Sequence, residues 1–163
     1  MQEEKQFVGT TGGAMDRVTD PIPLKEIPKY FPVKFKAPTF LPYDITGDVK
    51  GEVRTIGKKN MVLTIKYKQQ ESGRNEYIEL NVANFPYSFP DLVEEKRFQE
   101  QMKLNNGAFA YFKNKDDSER GDGFAALIWK EEGLEYQLLY RNAQENDKDV
   151  IKKNLLYIAN NME

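Results

Sequence analysis

Residues 123–140, GFAALIWKEEGLEYQLLY, indicate the architecture of this chain. Its first part, 124–129, is apolar at every position, which is typical of a central strand covered on both faces. Its last part alternates apolar and polar residues, as a strand with one buried face does. Glu131-Glu132-Gly133 between them predicts a short loop with Gly133 at positive φ. We therefore predict a core hairpin, with Glu131 and Glu132 as its solvated tip rather than as paired carboxylates of an active site.

The segments upstream of this hairpin predict more strands. Residues 48–56, 60–69 and 75–85 alternate in polarity and are separated by short turns, which indicates an antiparallel meander. Residues 102–115 predict a second hairpin around Asn105-Asn106-Gly107. A short strand is expected at 33–36, where Val33 and Phe35 alternate with lysines. Two short helical turns are expected, one in 24–31 that ends at Pro28 or Pro32 and one after Pro90.

The C-terminal residues predict one amphipathic helix. Asn146 or Asp147 is the expected N-cap, and Asp149 lies in the first turn. The apolar stripe consists of Val150, Ile151, Leu155, Ile158, Ala159 and Met162. The fold class predicted is α+β: an antiparallel β-sheet of about 6–8 strands with the C-terminal helix packed on one face. A single domain over 23–163 follows a flexible arm, 1–22, that is mobile or lies along a sheet edge.

Composition limits the chemistry available to this chain. Its 163 residues are 39% hydrophobic and 31% charged, with a net charge of 24 − 26 = −2. This balance gives no case for a nucleic-acid partner, and no apolar run is long enough to span a membrane. Cysteine and histidine are both absent, which removes thiol chemistry and the commonest general base and metal ligand. We predict no cofactor, no catalytic residue and no metal ligand.

One acidic loop is a candidate calcium site. Residues 114–123 carry four carboxylates in seven positions, Asp116, Asp117, Glu119 and Asp122. Oxygen-rich loops hold calcium, but the spacing of an EF-hand is not met. A solvated loop is the preferred interpretation.

Aromatic residues next to prolines supply the candidate binding surface. The loop 83–91 interleaves Phe85, Tyr87 and Phe89 with two prolines, and such side chains either cap the core or form a recognition patch. Core capping is the first expectation. If the chain has a binding surface, we predict that this loop forms it together with Phe40, Leu41 and Tyr43.

Three motifs in order carry a family resemblance over about residues 24–163. They are Pro38, Leu41 and Pro42; then Trp129, Gly133 and Tyr136; then Ile158-Ala159 near the helix end, with Asn161 where serine is usual. The chain resembles an uncharacterised domain family of Bacillus-type Gram-positive bacteria, found in lipoproteins and anti-sigma-factor-like membrane proteins. The resemblance implies an extracytoplasmic location and no known catalytic residue. Because residues 1–5 are polar and form no signal peptide, membrane proximity is expected only through an anchor upstream of this sequence.

Three classes of function remain open at this point. The first is a non-enzymatic extracytoplasmic module that binds an unknown protein or small ligand, as a sensor on the bacterial surface. The second is a hydrolase or glycan-processing enzyme that uses carboxylates alone. The third is a structural or assembly domain. We expect the first, because the sequence contains no convergent catalytic set.

Overall fold

One antiparallel sheet dominates the computed structural model, which describes residues 17–45, 47–69, 76–115, 123–142 and 147–163. Within these ranges the strands are β1 Arg17–Val18, β2 Ile22–Pro23, β3 Lys50–Ile56, β4 Asn60–Lys68, β5 Tyr77–Ala83, β6 Glu100–Lys103, β7 Phe109–Lys115, β8 Phe124–Glu131 and β9 Leu134–Arg141. Their order is β1-β3-β4-β5-β9-β8-β7-β6, and β2 also pairs with β3. The α+β class is confirmed, with nine strands rather than 6–8. The excess comes from β1 and β2, two-residue strands on the edge of β3 that carry no periodic signal.

The predicted core hairpin lies in the middle of the sheet. β8 is hydrogen-bonded to β7 and β9, and β9 is hydrogen-bonded to β8 and β5. The loop places Glu132 at φ 51° and Gly133 at φ 81°, which is the pair of positive values that a two-residue type I′ turn requires. The predicted meander is β3-β4-β5, and the predicted second hairpin is β6-β7. Both are confirmed.

The C-terminal helix, α1 Lys148–Asn160, packs across β8 and β9. Asp147 is its N-cap, since its carboxylate accepts the Asp149 backbone N–H at 2.9 Å. Four residues of the predicted stripe are buried against the sheet: Ile151, Leu155, Ile158 and Ala159. Val150 does not belong to it, because it is 39% exposed in the first turn. Met162 lies beyond the helix and packs against the core.

The sheet has two faces with different covers. We call the side that contacts α1 the helix face; it carries most of the core, from Val53 and Leu63 through Leu80 to Leu127 and Leu138. The opposite side is the second face. Residues from a π-helix, Pro90–Glu94, and from the loop before it cover only part of it, over a small cluster of Phe89, Ala126, Ile128 and Leu139. The short helix predicted after Pro90 is thus confirmed.

Residues 24–45 differ from the sequence-based predictions at two places. A 3₁₀ helix, Leu24–Lys29, includes Pro28 rather than ending at it; proline has no N–H, so the helix makes one hydrogen bond fewer there and ends one residue later. Residues 33–36 form no strand. The Lys36 backbone N–H donates to the Tyr136 hydroxyl at 3.0 Å, so a side chain takes the place that a neighbouring strand would occupy. The alternation of Val33 and Phe35 reflects packing on the core.

Candidate functional site

A cavity of about 300 Å³ opens at the turn end of the central hairpin, beside the β8–β9 turn. It lies between the end of β8, the start of β9, the β6–β7 turn, the end of α1 and residue 36. Its lining residues are Lys36, Leu104, Asn105, Asn106, Trp129, Glu131, Tyr136, Ala159, Asn160 and Met162. Such a volume is at the lower end of the range for small-molecule sites.

The floor of the cavity is aromatic. Trp129 and Tyr136 face each other across the β8–β9 ladder, and their rings stack with centroids 5.3 Å apart and planes 5° apart. Trp129 is only 1% exposed, so the indole is part of the core as well as of the cavity lining. Burial raises the pKa of the Tyr136 hydroxyl, which therefore keeps its proton at neutral pH.

An ion pair lies at the rim. The Lys36 ammonium contacts one oxygen of the Glu131 carboxylate, and the indole N–H of Trp129 donates to the other oxygen at 3.3 Å. The hydrogen bond with Glu131 raises the pKa of Lys36, so the ammonium is fully charged at neutral pH. Two opposite charges thus lie beside an apolar floor.

This arrangement overturns one sequence-based prediction. The Glu131 side chain is only 13% exposed, whereas that of Lys36 is 41% exposed. Glu132 is exposed, as predicted, but Glu131 is not part of a solvated tip. The alternation along β8 turns Glu131 to the same side as Trp129, where the chain near Lys36 covers it.

Asparagine side chains complete the rim. The Asn160 amide oxygen accepts the Asn105 backbone N–H at 2.9 Å, which ties the β6–β7 turn to the end of α1. The Asn106 amide oxygen accepts the Ala108 backbone N–H at 2.9 Å and shapes the turn itself. Asparagine offers both donors and acceptors, so the rim can bind polar groups of either kind. Of the cavity lining, only Glu131 carries a carboxylate, whereas carboxylate-based glycoside hydrolysis uses two.

The six aromatic and apolar residues predicted as one binding surface lie on opposite sides of the sheet. Leu41 and Tyr43 pack on the helix-face core, and Phe40 makes an edge contact with Tyr157 of α1, with centroids 4.9 Å apart. The Tyr43 hydroxyl donates to the Tyr67 carbonyl and accepts the Ile78 backbone N–H at 2.6 Å. These three residues therefore fasten residues 40–43 to the sheet and the helix.

The other three residues belong to the second face. Phe89 is buried in the small cluster there, so it caps the core. Phe85 and Tyr87 contact each other with centroids 5.5 Å apart, and Tyr87 remains exposed. The whole thickness of the sheet separates this group from Phe40, and the structure does not bring the two groups together.

A buried carboxylate that the sequence does not reveal organises this loop. Glu135 on β9 is 4% exposed. Its oxygens accept the backbone N–H groups of Tyr87 at 2.8 Å, Ser88 at 2.7 Å and Phe89 at 3.2 Å. In the sequence, Glu135 looks like an ordinary outward-facing residue of an alternating strand. The only sequence signal for its role is the loop before the helix that begins at Pro90, because its backbone N–H groups are available as donors.

No group of three metal-ligating side chains occurs among the described residues. Asp116, Asp117, Glu119 and Asp122, the candidate calcium loop, lie outside the described ranges. Each described helix is too short or too polar to cross a bilayer.

Comparison with protein-family models, with curated proteins and with solved structures finds no match to this chain. The resemblance to an extracytoplasmic Bacillus-type family stays a prediction. Any function must therefore be inferred from the cavity at Trp129 and its surroundings.

Proposed function

We propose that this protein is a non-enzymatic binding or sensor module, and that its ligand is a small zwitterion of the amino-acid type that occupies the cavity at Trp129. The observation that carries the proposal is the Lys36–Glu131 pair at the rim of an aromatic-floored cavity. A zwitterion with an apolar side chain has the same arrangement of groups: two opposite charges next to an apolar body.

The geometry gives each part of such a ligand a partner. The ligand carboxylate binds the half-exposed Lys36 ammonium, and the ligand ammonium binds the Glu131 carboxylate. When the ligand loosens the contact between Lys36 and Glu131, each of these side chains gains an opposite charge from the ligand. Neither charge is therefore left uncompensated. The ligand side chain packs towards Tyr136 and Met162, while the asparagine amides fix its orientation.

The single tryptophan provides a direct assay, because Trp129 lines the cavity. We expect saturable changes in its fluorescence when free amino acids with apolar side chains are titrated into the protein. Lys36→Met should abolish the response, because it removes the cation and keeps the aliphatic stem. Calorimetric titration of the same ligands separates true binding from optical effects.

The matched control is Lys130→Met. Lys130 is the neighbour of Trp129 in β8, but its ammonium lies over the Phe89 ring, 4.5 Å from the centroid, on the second face. This variant should bind as the unmodified protein does. If none of the amino acids binds, or if Lys36→Met and Lys130→Met bind equally well, the cavity is not the site proposed.

An extracytoplasmic, membrane-anchored location is part of the same proposal and is supported by the family resemblance. It is tested separately, by protease treatment of intact and lysed cells of the source bacterium. Digestion in intact cells supports this location. Protection until lysis refutes it and leaves the cavity proposal unaffected.

A further inference from the structure

The exposed part of the second face is strongly basic, although the chain as a whole is slightly acidic. Alternation along β3 and β4 puts Lys50, Arg54, Lys66 and Lys68 on the side away from α1, and all four are exposed. Lys58 and Lys59, also exposed, follow in the turn between the two strands. We call these six residues the basic face.

Few carboxylates oppose these cations within the described part of the chain. On β3, Glu52 is half-buried. On β5, Glu79 is buried, and its carboxylate already pairs with the Arg141 guanidinium at 2.9 Å and accepts the Asn81 amide N–H at 3.0 Å. Among the described strand residues on this side of β3, β4 and β5, four exposed cations lie beside the half-buried Glu52 and the already paired Glu79. This is a local excess of positive charge that the net charge of −2 conceals.

The centre of this side is polar and internally bonded. The Thr64 hydroxyl donates to the Asn81 amide oxygen at 2.6 Å, and the Asn81 amide N–H donates to the Gln137 amide oxygen at 3.1 Å. Thr64, Asn81 and Gln137 thus form a row of hydrogen-bonded side chains across three adjacent strands. This row is an ordered support beneath the long, flexible lysines.

The composition of the basic face selects the kind of partner. Five of its six cations are lysines, which act as mobile point charges, whereas the planar fork of arginine recognises single phosphates bidentately. The ring of Tyr77 lies beneath the Lys68 ammonium at 4.7 Å and is not open for base stacking, which single-stranded nucleic acids require. Of the exposed large apolar side chains in the described ranges, none lies on β3 or β4, so nothing there inserts into a bilayer.

We propose that the basic face adsorbs the protein to the surface of an anionic lipid bilayer, without insertion. Charge complementarity carries this proposal, and it is independent of the ligand cavity. The cavity opens beside α1 at the Trp129 end of the central hairpin, whereas the basic face lies across β3 and β4, so bilayer contact leaves the cavity rim accessible. Adsorption of this kind weakens as salt screens the charges.

The test is cosedimentation of the whole chain with phosphatidylcholine vesicles that contain or lack phosphatidylglycerol. We expect binding only to the anionic vesicles, with loss at high salt. Since a lysine near an anionic surface contributes about a fivefold change in affinity, Lys66→Gln with Lys68→Gln should weaken binding roughly 25-fold. The control pair, Lys29→Gln with Lys153→Gln, removes the same charge from exposed positions beside the helix face.

Three outcomes would overturn the proposal. The first is absence of binding to anionic vesicles at low salt. The second is equal weakening by the two variant pairs, because the location of the cations would then not matter. The third is tighter binding to double-stranded DNA than to the vesicles at the same salt, with the same loss on Lys66 and Lys68 substitution. That result would assign the basic face to nucleic acid.

Discussion

Replacement of Glu135 by glutamine should lower the free energy of unfolding by about 2–4 kcal/mol. One carboxylate oxygen accepts the N–H groups of Tyr87 and Phe89, and the other accepts the Ser88 N–H. Glutamine retains one oxygen but presents its NH₂ group to a backbone donor. One charge-assisted bond, worth about 1.5–3 kcal/mol, is lost. An N–H group is also left without an acceptor in a buried place, at about 1–3 kcal/mol, and the two effects overlap.

Urea denaturation followed by circular dichroism measures this change, and Glu132→Gln is the matched control. Glu132 lies in the exposed turn that precedes β9, so its substitution should stay within about 0.5 kcal/mol. Hydrogen exchange gives a local readout, because the Ser88 amide should lose its protection in the Glu135 variant. A Glu135→Gln protein as stable as the control, with Ser88 still protected, would show that this carboxylate does not organise the loop.

Three further predictions concern the core and its titration. Trp129→Ala should cost about 3–5 kcal/mol in the same denaturation assay, whereas Phe109→Ala, at an exposed ring, should cost far less; equal losses would contradict the central place of the indole. Gly51→Ala should destabilise by about 1–3 kcal/mol, because a Cβ there would lie 2.9 Å from the Ile27 side chain; an unchanged urea midpoint would show that this contact relaxes freely. Burial raises the pKa of Tyr43 from 10.0 to about 12. The folded state therefore retains this proton to higher pH than the unfolded state does, and the free energy of unfolding should fall between pH 10 and 12. Urea denaturation across this pH range should show a shallower fall for Tyr43→Phe, and an equally steep fall would refute the prediction.

The strands and the helix were predictable because each has a local signal. The unbroken apolar run of 124–129 indicates a central strand, and the alternation in β4 and β5 indicates strands in a sheet. Asp147 and the spacing of Ile151, Leu155 and Ile158 give the helix its start and its buried side. The two-residue strands β1 and β2 have no such signal, since their existence depends only on the exposed edge of β3.

Prediction failed where a residue's partner lies far away in the chain. Val33 and Phe35 alternate as in a strand, but Lys36 bonds to a hydroxyl one hundred residues later. Glu131 has the local sequence context of a solvent-exposed turn, and it becomes part of the cavity rim only through its contact with Lys36. Alternation in polarity reports which side of a strand faces the core, and it gives no information on which distant segment covers that side.

Short-range periodicity and turn chemistry specify the α+β class, the central hairpin, the meander and the C-terminal helix, so these features follow from the amino-acid order. The grouping of charged residues depends on the folded chain. Folding joined Lys36, Trp129 and Glu131 around one cavity, enclosed Glu135 with three backbone donors, and put the cations of β3 and β4 on one side of a chain whose net charge is only −2. The physical reason is that electrostatic and hydrogen-bonding partners are chosen by distance in space, whereas sequence patterns report only distance along the chain.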